Sequence, residues 1–229
     1  MKNTNIIAID GPASSGKGTI AKKLAQNLKY VYLDTGAMYR ALTHYCLENN
    51  LDMKSELVVY EALQKIELAF LPSGTILLNQ KDVSTEIRSN DVSFYTSNLV
   101  STYPSVRELM VKKQQQYGEA TNIVVDGRDI ATVVFPNANI KLFISASLHV
   151  RTLRRIEQNK KMDINDTYEY IKNELALRDV QDTTRPASPL VIATNAIVVD
   201  SSNQIVEETL QTVLDIVKSQ EERELICCQ

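Results

Sequence analysis

The sequence is poor in the residues that most metal and thiol chemistry requires. Its 229 residues include two histidines and three cysteines. His44 and His149 leave no material for a histidine-rich metal cluster and little for a serine–histidine triad, and both read as ordinary surface or packing residues. Cys46, Cys227 and Cys228 lack zinc-site spacing, and an odd count with an adjacent pair at the tail makes a poor disulfide framework, so they read as reduced thiols. Charge is nearly balanced at −3 with both signs interspersed, which excludes the basic footprint of a nucleic-acid binder. Any anion must therefore meet local arginines. No apolar run approaches membrane-spanning length, so no membrane partner is expected. The opening MKNTNIIAID enters a core strand without a signal-peptide pattern, and the expected location is cytoplasmic. Repeats and low-complexity tracts are absent as well.

What the chain does have begins at its tenth residue. The apolar run Ile6–Ile9 leads into Gly11, Pro12, Ala13, Ser14, Ser15, Gly16, Lys17, Gly18 and Thr19, and an amphipathic stretch follows from Lys17 to Leu28. Strand, glycine-rich loop and helix in that order form a cradle for a nucleoside triphosphate: inward N–H groups, a mobile lysine charge and a helix N-terminus all face polyphosphate. Gly18 stands where many such loops carry the hydroxyl that ligates magnesium. Thr19, displaced by one, is read as touching a phosphate oxygen, with a metal role as its alternative, and the ion is left to nucleotide oxygens and water.

Further strand-length runs at Val31–Leu33, Ile123–Val125, Ile140–Ile144 and Ala196–Val199 alternate with helical spacing at 17–28, 36–49, 55–65, 104–118, 147–159, 166–180 and 205–218. This predicts an α/β fold, a doubly wound parallel sheet of five strands. The rhythm breaks between the second and third core strands. There Ile66–Leu71, a turn at Pro72–Gly74 and Thr75–Asn79 predict a hairpin, with Asp82–Ser84 as a possible third strand and helices from Arg88 to Tyr117 interrupted at Pro104. The predicted organisation is a core of residues 1–50 and 120–229 carrying a small α+β insert at 51–119, with Ser219–Gln229 fraying into disorder.

The third core strand delivers Asp126 at its carboxyl end, where open α/β sheets bind ligands. Asp126 is a candidate for orienting hydrated magnesium, or else a helix cap. Arg40 follows the second strand and Arg128 the third. Arg151, Arg154 and Arg155 cluster on one helix, and Arg178, Asp182 and Arg185 share another helical face. Each group alone could be a solvated surface. Together they exceed what one triphosphate needs and suit two phosphorylated ligands meeting head to head, whose mutual repulsion fixed cations must offset. That pattern points to phosphoryl transfer between nucleotides.

IDGPASSGKGT at 9–19, LDTGAMYRAL at 33–42, EIRSNDVS at 86–93, PSVRELM at 104–110, VDGRDIATVVFP at 125–136 and RDVQDTTRPASPL at 178–190 together resemble the bacterial cytidylate kinases, a branch of the nucleoside monophosphate kinases with a phosphate-loop kinase core. The resemblance spans nearly the whole chain. It implies transfer from ATP to CMP or dCMP with Mg²⁺; a monomer is the default expectation, since composition does not set the oligomeric state. Lys17, Arg128, Arg154 and Arg155 would be catalytic, the last two as clamps on the ATP phosphates at the base of a lid at 156–166. Arg40 and Arg128 would hold the acceptor phosphate, Thr35 and Asp129 would lie beside its sugar, and Arg178 and Asp182 would read the ribose. Arg107 and Arg185 would reach the base, helped by Ser97, with Asn98 as the alternative. A kinase for another monophosphate such as UMP, or a nucleotide-sensing module without activity, are the rival readings.

Overall fold

The structure, a computed structural model, describes residues 4–71, 74–161 and 163–227. Pro72 and Ser73 of the predicted turn, and Cys228, lie outside the described residues.

Five parallel strands form the core sheet: β1 (Ile6–Asp10), β2 (Val31–Asp34), β6 (Ile123–Gly127), β7 (Ile140–Ser145) and β8 (Ile197–Asp200), in the order β2-β6-β1-β7-β8. β1 is central, pairing with β6 on one side and β7 on the other. Alternation along a strand sends Ile7 and Ile9 to one face and Ala8 to the opposite one. The first face packs with Ile20 and Leu24 of α1 (Lys17–Leu28) and Val213 and Val217 of α8 (Val206–Cys227). The second packs with Met38 and Leu42 of α2 (Thr35–Glu48) and with the insert. Helices cover both faces, which is why the strands read as continuous apolar runs.

The insert contains α3 (Glu56–Lys65), a three-stranded antiparallel sheet of β3 (Leu68–Phe70), β4 (Ile76–Leu78) and β5 (Lys81–Asp82), then α4 (Asn90–Asn98) and α5 (Pro104–Ala120). Pro104 opens α5, where its missing N–H costs no helical bond. At the far end of α5, a Cβ on Gly118 would stand 2.6 Å from the Phe135 ring and 3.1 Å from Ile6 Cδ1, so the helix lies directly on the core. α6 (Leu148–Lys160) and α7 (Tyr168–Thr184) complete the chain's order between β7 and β8.

Three features depart from expectation. α8 continues through Cys227 instead of ending at 218; its extension, SQEEREL, lacks an apolar stripe at its start but is rich in strong helix formers. The chain after β6 makes a π-helical turn at Ile130–Val134, too short to leave a periodic signal. The third strand of the hairpin sheet lies at 81–82, ahead of the predicted 82–84. Among the described residues, no helix is long and apolar enough to cross a membrane.

Candidate active site

The phosphate loop leaves β1 through Gly11, whose φ of 153° and close approach both require glycine: a Cβ there would fall 2.1 Å from the Ile144 carbonyl oxygen of β7. The loop then closes on Gly16, the residue that caps α1. Lys17 is buried, and its Nζ donates to the Pro12 carbonyl at 3.1 Å. Burial first, and repulsion from Arg128 second, pull its pKa down to about 7, against the attraction of Asp126. The Ser15 hydroxyl is buried without a hydrogen-bond partner.

The α6 arginines meet successive residues of this loop. Arg151 donates to the Ala13 carbonyl at 3.3 Å and forms a bidentate pair with Asp179 of α7 at 3.0 and 2.7 Å. Arg155 Nε reaches the Ser14 hydroxyl at 3.2 Å. Arg154, expected as a clamp on the ATP phosphates, is bonded here to the protein. Its Nη1 donates to the Ser15 carbonyl and the Ser201 hydroxyl, both at 3.0 Å, and its Nη2 to the Ser201 carbonyl at 2.7 Å. These bonds from its two Nη atoms tie the phosphate loop to the end of β8.

Asp126, at the end of β6, is buried, and burial followed by repulsion from Asp34 pushes its pKa up to about 6. Oδ1 accepts from the Tyr32 hydroxyl at 2.7 Å. Oδ2 faces Gly18, where a Cβ would stand 3.5 Å away. Among the described residues there is no group of three or more His, Cys, Asp or Glu able to hold a metal. One carboxylate with a free oxygen, facing a loop position without a side chain, fits an ion that keeps most of its waters and takes its other ligands from nucleotide oxygens. Thr19 is exposed, at the rim of the same loop.

Opposite the loop stands the second arginine group. Asp34 caps α2 through Ala37 N at 2.8 Å and pairs with Arg40 at 3.0 Å. Arg128 Nε pairs with Asp182 at 2.7 Å, and Arg185 lies 3.9 Å from both Asp129 and Asp182. Arg107 pairs with Asp129 at 2.5 Å, donates to the Ser101 carbonyl at 3.0 Å and lies over the Tyr39 ring, 5.5 Å from its centroid. Burial alone would raise the Asp182 carboxyl, but Arg128, Arg178 and Arg185 hold it below its usual value. Burial, then repulsion from Arg128, brings Arg178 down to about 10. Buried donors on Arg40, Ser97, Arg107, Arg178 and Arg185 have no hydrogen-bond partner. Asn98, by contrast, is exposed and bonded to Phe94 and Gln181.

Thr35 is also committed: its buried hydroxyl donates to the Asp126 carbonyl at 2.8 Å, tying β2 to β6. Sequence reasoning missed the partners that hold the arginines, chiefly Asp34, Asp179 and Ser201, and it missed Asp10. Asp10 ends β1 one register step beyond Asp126, which pairs with Ile9, and an acid at a strand's carboxyl end was the available signal.

The family model for cytidylate kinase matches residues 7–219 of this chain. Proteins named cytidylate kinase from Bacillus velezensis and Bacillus subtilis are 45% identical over 215 residues and 42% identical over 221, covering 93% and 95% of this chain and 96% and 98% of their own. One from Lactiplantibacillus plantarum is 38% identical over 214 residues, covering 92% of this chain and 93% of its own. With the loop lysine, Asp126 and Arg128 within electrostatic reach of one another and the match running almost from end to end, the chain belongs to the cytidylate kinase family.

Proposed function

We propose that this protein transfers the γ-phosphoryl group of ATP to CMP or dCMP, yielding ADP and CDP or dCDP. The observation that carries the reading is the group of buried, unpartnered donors on Arg40, Ser97, Arg107, Arg178 and Arg185. A buried N–H without a partner costs about 1–3 kcal/mol. Several such donors mark a surface shaped for an anionic, acceptor-rich ligand, and one of them, Arg178, lies within electrostatic reach of Lys17.

In this scheme the ATP phosphates lie on residues Gly11 to Thr19, and Lys17 follows the charge as it moves. Arg40 and Arg128 hold the CMP phosphate, Arg178 and Asp182 the sugar, and Arg107, Arg185 and Ser97 the base, whose O2 and N3 accept hydrogen bonds. Asp129 orients Arg107 and Arg185, while Thr35 fixes the floor between β2 and β6. Mg²⁺ accompanying ATP would neutralise phosphate charge, with Asp126 holding it through water. An ionised phosphate is already nucleophilic, so these residues need to position and neutralise, and no general base is required. Segment 156–166 acts as a lid that draws Arg155 onto the phosphates and excludes water.

The test is a coupled assay over CMP, dCMP, UMP, AMP and GMP with ATP and Mg²⁺. The highest kcat/KM should belong to CMP or dCMP. Preference for UMP would revise the acceptor, and transfer to none of them would overturn the reading.

A further inference from the structure

The phosphate loop and the Asp126–Asp129 loop leave neighbouring strands, β1 and β6, and one buried side chain bonds the root of the first to the second. Asp10, the last residue of β1, is 2% exposed. Its Oδ1 accepts from Ile130 N at 2.9 Å and its Oδ2 from Ala131 N at 2.8 Å, the first two residues of the π-helical turn. Both partners are backbone groups. Burial first pushes its pKa up to about 6, with repulsion from Asp129 adding to it and the two backbone hydrogen bonds and the attraction of Lys17 opposing it; Arg128 is also within electrostatic reach. A buried carboxylate without a bonded cation is costly to keep. What it provides is a two-point attachment that resists both sliding and rotation of one loop against the other.

We propose that Asp10 is a positioning residue for phosphoryl transfer: by fixing Ile130 and Ala131 to the end of β1, it sets the separation between the ATP phosphates on the loop and the acceptor phosphate held by Arg128. The proposal rests on the transfer reading given above. Asp10 is not among the side chains assigned to either nucleotide, so its effect falls on their alignment. In-line transfer requires the reacting atoms about 3–3.5 Å apart, and a displacement of about 1 Å can cost about 100-fold in rate.

The experiment compares the wild type with D10N and D10E. Asn turns one acceptor into an NH₂ that confronts a backbone N–H. Glu keeps the charge and both acceptors but adds a methylene between the loops. In both, kcat for CMP phosphorylation should fall about 100-fold, while the Kd of CMP alone and of an unreactive ATP analogue alone change by less than about threefold. The ratio of ADP to CDP formed should rise, because water competes for a misaligned γ-phosphate. Wild-type kcat in the folded variants, or an unchanged ADP to CDP ratio, overturns the proposal. So does the absence of a cooperative melt in both variants, which would assign Asp10 to folding. Failure of the wild type itself to make CDP would overturn the transfer reading instead, and with it this proposal.

Discussion

The two walls of the cleft hold their arginines in opposite ways. On the ATP side, Arg151 and Arg154 direct their guanidinium groups to protein acceptors: Ala13, Asp179, Ser15 and Ser201. On the facing side, Arg40, Arg107, Arg178 and Arg185 each keep a buried N–H with no hydrogen-bond partner. Arg151 and Arg154 are thus tied into the protein itself, while Arg155 and the Ser15 hydroxyl on that side, like the facing group, keep donors that a ligand can take. The same residue type thus does two jobs. Where carbonyls and a carboxylate saturate the planar fork, arginine is a girder for a loop whose backbone must stay in an unusual shape; where they do not, it is a socket.

Substitutions should separate the girders from the sockets. The largest effect belongs between the walls: Lys17→Met should lower kcat about 1000-fold in the coupled CMP assay, by the size of a typical electrostatic contribution to the transition state. Near-normal turnover would remove Lys17 from the mechanism. On the ATP side, Arg151→Met should cost about 2 kcal/mol in urea unfolding, less than a fully buried pair because Asp179 is partly exposed. CMP affinity should be little changed. Across the cleft the pattern reverses. Arg185→Met should weaken CMP binding roughly tenfold by calorimetry, the scale of one charged hydrogen bond, with ATP affinity and unfolding nearly unchanged. Equal losses for both nucleotides would dissolve the distinction between the walls.

The smallest effect is a proton count. Lys17 sits at about 7 in the free protein, so at pH 8 it is mostly neutral. The triphosphate's negative charge favours the ammonium, so ATP binding at pH 8 should take up a fraction of a proton. Binding enthalpies measured in two buffers of different ionisation enthalpy should then differ with the sign of uptake. Identical enthalpies would show that Lys17 is already charged before ATP arrives.

Much of this was legible in the sequence because its signals are local. Ile6–Ile9 followed by Gly11 to Lys17 declares strand, loop and helix within a dozen residues, and α1 spans 17–28 as its periodicity predicts. The partners of the arginines were not legible, because Arg154 meets Ser201 and Arg107 meets Asp129 only after the sheet has brought distant segments together. That is why the bonds of Arg154 to Ser15 and Ser201 had no counterpart in the sequence pattern. The extra turns of α8 escaped for the opposite reason: helix-forming residues without an apolar stripe at Ser219–Glu222 carry propensity but no periodicity.

The close seat of Gly118 against Phe135 and Ile6 bears on how the insert can move. A helix whose backbone rests on an aromatic ring with no side chain between them has no slack at that end, so the base of α5 is an anchored heel. Any swing of the insert would turn about this heel, and would be least beside β6. Wedging a methyl group under it, as in Gly118→Ala, would lift the heel and tilt the whole insert, a way to alter the hinge without touching one residue that meets a nucleotide.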